Sequence, residues 1–523
     1  MQNRYQVLLL WSVFLFGFYY YCLRVTGLDL SYTPGDFGDS RFINYILEHG
    51  YRWLIGKETK FWTANFMYPL EYNVAISDCL AGVLPIYAFF RFIGMDTERA
   101  YQFWWLTCSV LNYFCAYYAF RRLRLSALAA IIGSYIFAFG INNLNQFMHL
   151  QMNCKFFFPL VIAFVFQFLE KKQIKYYVFA CFMFILLFYT NAYLAIFTLL
   201  FLIFFVPLYW LSLKPRFALP SGKTWLAVFV FILTSLISAY CLWKVARPYY
   251  QMALSLGKIP YLHIAPGLPR IWSYFLPHEN VLLYDFLKDS PLKSEPNWYL
   301  HDLFPGLFVY SGLILSAGYF IYWLIRSRKG LPLPFLLVSI CIIIVYLITR
   351  DRHMHSAFEQ IRILPGFQTM RLAGRAMSIL VFVMLWTSLW YLDKLPKVSL
   401  NRYLPFILVF VLLENLFVIK VNTLRTSSSD RRFRTEKMAM LIQLSNSKHK
   451  RIIAVINTSK RDESFQTDVM LASQKLDLYT FNGYSSNCFG ELCYAYTDPE
   501  HKQLKAWMRR NHISENEVTF IHY

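Results

Sequence analysis

Residues 76–94, ISDCLAGVLPIYAFFRFIG, set how the rest of the chain is threaded. The stretch is apolar and close to the ~20 residues that a helix needs to cross a hydrocarbon core of about 30 Å. It also carries Asp78, Pro85 and Arg91. Other apolar stretches lie at 6–26, 100–120, 125–141, 155–169, 176–190, 192–212, 224–243, 305–325, 331–349, 376–391 and 403–420. If all of them cross, with Arg4 at a cytoplasmic N-terminus, the clusters at 121–124 (RRLR) and 171–175 (KKQIK) face outward, against the positive-inside rule. If 76–94 is instead half-buried or re-entrant, the basic loops 121–124, 171–175, 214–223, 326–329 and 394–402 all become cytoplasmic. The expectation is eleven spans, N-terminus inside and C-terminus outside. The first span, 6–26 (QVLLLWSVFLFGFYYYCLRVT), reads as a retained helix, because its tyrosines and Cys22 give no small-residue cleavage site.

Composition agrees with a polytopic membrane protein. Of 523 residues 57% are apolar, 20% aromatic and only 15% charged. The net charge of +21 does not point to nucleic acid, since much of it sits in short loops of the kind that set topology. The first outer loop, 27–98, runs the other way, with nine acidic residues against five basic ones. Two domains are expected. Residues 1–420 form a transmembrane helical bundle with outer loops 27–98 and 244–304, and residues 421–523 form a small extracytoplasmic α/β domain. In the latter, 425–434 (RTSSSDRRFR) reads as a linker. After it come a helix at 435–447, strands at 451–456 (RIIAVI) and near 476–481, an amphipathic helix near 500–510 and a last strand at 518–522. Of ten cysteines, most lie in apolar spans, and Cys488 and Cys493 are candidates for a disulfide in an oxidising compartment.

The chemistry concentrates just after the first span, in residues 32–41 (YTPGDFGDSR). Asp36 and Asp39 are candidate catalytic carboxylates. Each competes with a capping role for the helix that follows, and Asp39, directly before the amphipathic run, fits the cap better. That run places Phe42, Ile43, Ile46, Leu47, Trp53 and Leu54 at helical spacing, as in a helix lying in the membrane interface with its aromatic side among the headgroups. Asp-x-x-Asp is also compatible with a divalent cation, though the spacing is a weak signal.

Residues 35–41 carry a resemblance. Gly35-Asp36-Phe37 with Arg41 five residues after the aspartate resembles the signature of the lipid-linked-oligosaccharide glucosyltransferases, and the whole layout is similar to polytopic C-type (GT-C) glycosyltransferases. The layout also resembles bacterial members, including those of the YfhO kind and the aminoarabinose transferases. The resemblance implies an inverting enzyme of the cytoplasmic (inner) membrane, taking a hexose or pentose from a polyprenyl-phosphate-sugar donor to a lipid or glycan acceptor of the cell envelope on the outer face. It also implies that Asp36 is the base. Such a reaction needs positive charge on the leaving phosphate. The dense loop 350–375 supplies Arg371 and Arg375, four apart and on one helix face, with Arg41 as a further candidate. Substrate contacts are expected from His149 and Gln151 in the turn 142–153, and from Arg247, His263, Arg270, His278 and Glu279 of the later outer loop. For Arg371 and Arg375 the competing reading is headgroup anchoring; for the loop residues it is packing on the bundle. A lipid or polysaccharide transporter or flippase is the alternative function, and a non-catalytic scaffold a third. Ionisable residues gathered in outer loops rather than within spans favour the enzyme.

Overall fold

A computed structural model of the protein describes residues 2–213, 222–257, 259–287, 301–326, 332–364, 366–367, 370–395, 397–416, 423–447, 449–457, 463–484 and 501–523. Cys488 and Cys493 fall outside these residues. The fold is mainly α. Every one of the eleven stretches expected to cross contains a helix, from Gln2–Gly17, which continues to Thr26, to Lys397–Glu414. By length and composition, six helical segments among the described residues are fit to cross a membrane: Arg4–Thr26, Ala127–Gln146, Leu150–Lys171, Ala192–Ser212, Trp225–Leu256 and Ala373–Lys394. Ile174–Thr190, Leu307–Trp323, Leu333–Ile348 and Pro405–Glu414 are apolar but shorter. The helix Thr97–Arg122 is long but more polar.

In the stretch 76–94 only Leu84–Phe92 is helical. Nine residues rise about 14 Å, less than half a hydrocarbon core. Its charges are held by protein rather than left in lipid. Arg91 donates to Glu48 at 2.9 and 3.1 Å, and the Tyr87 hydroxyl reaches the same carboxylate at 2.8 Å. Asp78 accepts the backbone N–H of Ala192 at 2.9 Å and the Asn191 side chain at 3.1 Å, so it fastens this segment to the start of the helix Ala192–Ser212.

Polar contacts gather at the two ends of the bundle. At one end Arg124 pairs with Glu170, which also takes the Tyr209 hydroxyl, while Asp393 accepts the N–H of Ser126 at 2.6 Å. The basic segments 121–124 and 171–175 therefore share an end with the close of the helix Met377–Lys394. Between the ends the core is aromatic: Trp104, Trp105 and Trp386 are fully buried, and Phe120 stacks on Phe382 at 4.6 Å between ring centroids.

At the other end the C-terminal segment covers the first outer loop, and two expectations change here. Residues 425–434 are not a linker. Strand β1 (Tyr32–Pro34) pairs antiparallel with β2 (Arg425–Ser427), Thr33 opposite Thr426, and the helix Ser428–Ser445 starts directly after. Nor does the helix Asp39–Leu54 lie among headgroups. Phe42, Ile43, Ile46 and Leu47 are at most 4% exposed; only its far end, Trp53 and Leu54, is bare. The helix Glu463–Lys475 covers it, with Gln474 donating to the Tyr45 carbonyl at 3.2 Å. A parallel sheet in the order β4 (Tyr479–Thr480), β3 (Ile452–Ile456), β5 (Val518–His522) completes this segment. Its edge is stitched to the first loop, where Thr480 donates to Asn65 (2.8 Å), Tyr68 to Thr480 (3.0 Å) and Met67 to Asn482 (3.1 Å).

Candidate functional site

The turn that carries the two aspartates is built from both ends of the chain. The N–H of Gly35 bonds the Leu424 carbonyl at 2.9 Å, one step beyond the β1–β2 ladder. Gly35 has φ +93°, and a Cβ there would meet the Ser40 side chain at 2.4 Å and the Phe147 carbonyl at 2.8 Å. Only glycine fits such a position. The backbone then turns so that Asp36 Oδ1 accepts the N–H of Ser40 at 3.0 Å, capping the helix Asp39–Leu54. The N-cap position is thus Gly38 and Asp39 is the first helical residue, not the cap the sequence suggested; the side chain that serves a free helical N–H is that of Asp36, which the turn at Gly35 folds back toward Ser40.

Asp39 is thereby released to face the protein's polar centre. Its carboxylate meets His149 Nδ1 at 3.1 Å and takes the Tyr484 hydroxyl at 2.7 Å. Burial opposes its ionisation, but the bonds from His149 and Tyr484 and the charge of Arg375 outweigh it, so Asp39 sits below the usual carboxylate range. Asp36 is pushed the other way: burial is the main cause, the charge of Asp39 adds to it, and the Ser40 N–H opposes. One lone-pair-bearing atom of Asp36 serves the cap; the other, Oδ2, lies on the Gly38 side, where a Cβ on Gly38 would be 3.5 Å from it and 3.5 Å from the Tyr484 hydroxyl.

Arg371 and Arg375 come to the same place. The Arg375 guanidinium lies over the Tyr193 ring, 4.5 Å from its centroid, and the N–H of Arg371 bonds the Tyr193 hydroxyl at 3.3 Å. Burial lowers the Arg371 guanidinium below its ordinary value, with Tyr193 and Asp39 supporting its charge. Asp78, 4% exposed, feels both Arg375 and His149, yet burial dominates and lifts it to about 6.

Other expected site residues are placed differently. Arg41 is 0% exposed and committed to Asp468 and, at 2.8 Å, to Thr435, so it locks the C-terminal segment down instead of facing a phosphate. Gln151 is buried, and its carbonyl accepts from Asn191 at 3.3 Å. Arg247 is on an exposed face of the helix Gly222–Leu256, and His263 and Glu279 are exposed. His278 accepts the N–H of Asn280 at 3.2 Å within its own turn, and the N–H of Arg270 bonds Ser273 at 2.9 Å. Tyr274, beside them, is buried and bonded to Thr349 at 2.9 Å. The outer loop expected from residue 244 begins later, since the helix Gly222–Leu256 runs through its first residues. Asp39 and His149 are two cation ligands within reach of each other; among the described residues no group of three or more His, Cys, Asp or Glu side chains converges as a ligand set.

Sequence reasoning missed Tyr484, Asp78, Asn191 and Tyr193. Asp78 had a signal, being an acid inside an otherwise apolar stretch. Tyr484 had none, since 445 residues separate it from the carboxylate it touches.

No protein-family profile and no curated protein sequence matches the chain. Solved structures do. Over 98% of its length the chain superimposes on the oligosaccharyltransferase AglB from Archaeoglobus fulgidus, bound there to an inhibitory peptide and a dolichol-phosphate, with TM-score 0.50, 11% identity and 69% of that chain covered. A second structure of the Archaeoglobus fulgidus oligosaccharyltransferase, with zinc and sulfate, gives TM-score 0.51 at 12% identity, covering 92% of this chain and 63% of that one. The mycobacterial arabinofuranosyltransferase AftD gives TM-score 0.50 at 13% identity over 95% of this chain and 34% of that one. The chain thus spans about two thirds of the archaeal enzyme and about one third of the mycobacterial one. At such identities the likeness is one of fold alone.

Proposed function

We propose that the protein is a membrane glycosyltransferase that moves a sugar from a polyprenyl-phosphate-linked donor to a lipid or glycan acceptor on the outer face of the cytoplasmic membrane. The observation that carries this reading is the meeting of two carboxylates and two arginines at one mouth of the bundle. Asp39 lies close enough to Arg375 and Arg371 for their charges to act on one another. Attack by an acceptor hydroxyl on an anomeric carbon needs a base on one side and positive charge on the departing phosphate on the other. Asp36, whose carboxyl is raised and whose Oδ2 is outside the cap, is the base in this reading. Asp39, fixed by His149 and Tyr484, orients the acceptor and balances the arginines. Arg371 and Arg375 receive the phosphate, with the planar guanidinium fork suited to two oxygens at once.

The direct test is incubation of the purified protein with radiolabelled polyprenyl-phosphate sugars and envelope lipids or glycans as acceptors. An enzyme consumes the donor, whereas a flippase or scaffold leaves it intact. Within that assay, Arg371→Lys and Arg375→Lys keep one charge each but lose the fork. Turnover should fall about tenfold or more, a barrier change of about 1.4 kcal/mol, with thermal stability unchanged. Wild-type kinetics in both variants would assign these arginines to anchoring the helix end at the interface.

A further inference from the structure

The turn that presents Asp36 rests on a guanidinium that the proposed reaction does not use. Arg431, at the fourth position of the helix Ser428–Ser445, is 0% exposed, and so is Ser40. Arg431 Nη1 donates to the Ser40 hydroxyl at 3.0 Å and to the Thr426 hydroxyl at 3.4 Å, while its Nε lies 3.0 Å from Glu98. We infer that Arg431 is a positioning residue for Asp36, fixing through Ser40 the turn in which that carboxylate is presented. The inference rests on the reading of Asp36 as the base of a glycosyl transfer.

Ser40 is the joint. Its N–H donates to Asp36 Oδ1 at 3.0 Å and its hydroxyl donates to the Pro34 carbonyl at 2.8 Å, so it grips the chain on both sides of Gly35. A hydroxyl has one proton to give; with that proton on Pro34, the Ser40 oxygen is left to accept, and Arg431 supplies the donor. The partners of Arg431 lie on three elements: Ser40 on the helix Asp39–Leu54, Thr426 on β2 and Glu98 on the helix Thr97–Arg122, whose Tyr101 ring centroid is 5.5 Å from the guanidinium. A planar guanidinium can meet them at once, whereas the single ammonium of a lysine cannot. The charge of Arg431 also reaches the carboxylate. Burial raises Asp36 and Asp39 adds to the rise, while the Ser40 N–H, His149 and Arg431 oppose it. The charged groups around Arg431 itself are Glu98, its partner, and Arg41, which Asp468 neutralises. A buried carboxylate that works in its ionised form needs positive charge of this kind nearby.

The test uses the full-length protein in nanodiscs with radiolabelled polyprenyl-phosphate sugars. Arg431→Lys keeps the charge but loses the simultaneous reach to Glu98 and Ser40. Its kcat should fall about tenfold, with KM for the donor unchanged and the acid limb of the pH–rate profile in place. Arg431→Gln, made together with Glu98→Gln so that no carboxylate is left unpaired, removes the charge as well. Asp36 is then raised further, and since a base works only when ionised, the acid limb should move about half a unit to one unit toward higher pH. Ser40→Ala keeps the N–H on Asp36 and breaks the joint, so adding it to Arg431→Lys should cost no more than either change alone. Wild-type kinetics in Arg431→Lys, losses that multiply with Ser40→Ala, or an unmoved limb in the Gln pair would leave Arg431 merely fastening the C-terminal segment and overturn the inference. A readout without turnover separates this from a failure of glycosyl transfer. The part of the pH dependence of the thermal midpoint that Asp36→Asn removes should shift to higher pH in the Gln pair. That shift in a protein that consumes no donor would overturn glycosyl transfer and leave the coupling of Arg431 to Asp36 standing; no shift overturns the coupling whatever the turnover. Should the Gln pair fail to fold, the Arg431→Lys and Ser40→Ala cycle decides.

Discussion

Asp36 and Asp39 stand three residues apart, and their surroundings push their ionisation in opposite directions, the pattern expected where two acids have two jobs. Asp36→Asn retains a side-chain oxygen for the Ser40 N–H, and Asn caps helices as well as Asp does, so folding should be unaffected. Loss of basicity should lower transfer by on the order of 10²-fold. A fully active Asp36→Asn enzyme would move the base to Asp39. Asp78 makes a prediction about stability. Its carboxyl is raised to about 6 mainly by burial, so its contribution to stability is present below the unfolded value near 3.8 and is lost as pH rises through about 6. A shift of about two units corresponds to on the order of 3 kcal/mol. The thermal midpoint in detergent should therefore rise as pH falls from 7.5 to 5, and Asp78→Asn should flatten much of that rise. Asp36 acts in the same direction, whereas Asp39, being lowered, loses its contribution only at more acid pH.

Among elements, the helix Asp39–Leu54 shows what the C-terminal segment does. Four of its apolar side chains are buried, each worth about 1.5–3 kcal/mol, and the helix Glu463–Lys475 shares their cover with the helices Leu84–Phe92 and Thr97–Arg122. Three charged contacts fix the arrangement. Asp468 pairs with Arg41 and with Arg434, the latter at 2.7 Å, and Arg431 lies 3.0 Å from Glu98, both nearly inaccessible. Removing one member of such a buried group leaves an uncompensated charge. Asp468→Asn should cost about 3–5 kcal/mol and loosen the segment, seen as faster proteolysis after residue 423 and a lower midpoint. Because Tyr484 touches Asp39, transfer should fall with it. An Asp468→Asn protein as protease-resistant as wild type would mean that the apolar contacts suffice to hold the segment.

At the scale of the molecule, the helix ends sort the chain into a basic end and an end that bears Asp39, Asp78 and the arginines. The Arg124–Glu170 pair and the Ser126–Asp393 bond place the basic segments together, as alternate crossing with 76–94 held at one face requires. On the eleven-span expectation the basic end would be the cytoplasmic one. A cysteine introduced at Ser126, which is exposed, should react with an impermeant thiol reagent only after the membrane is opened. Labelling in intact cells would invert the molecule and place the candidate site inside.

The membrane class, the helices and the strands at 452–456 and 518–522 could be read from the sequence because they depend on local pattern: apolar length for a span, alternation for a strand, charge near a span for its side of the membrane. That 76–94 is half-buried or re-entrant was the expectation from Asp78, Pro85 and Arg91; the short helix Leu84–Phe92 within it was not foreseen. The site was legible only as its parts. Asp36, Asp39, His149, Arg371 and Arg375 stood out as polar groups in outer loops, but which aspartate caps the helix depended on the turn at Gly35, and that turn is closed by residues near 424. Arg41 looked like a ligand for phosphate because nothing in its neighbourhood along the chain showed that Asp468 would neutralise it. A charge's role is decided by the charges brought within a few ångströms, and for Arg41, Arg431 and Asp39 those partners lie more than a hundred residues away, where only the tertiary structure can place them.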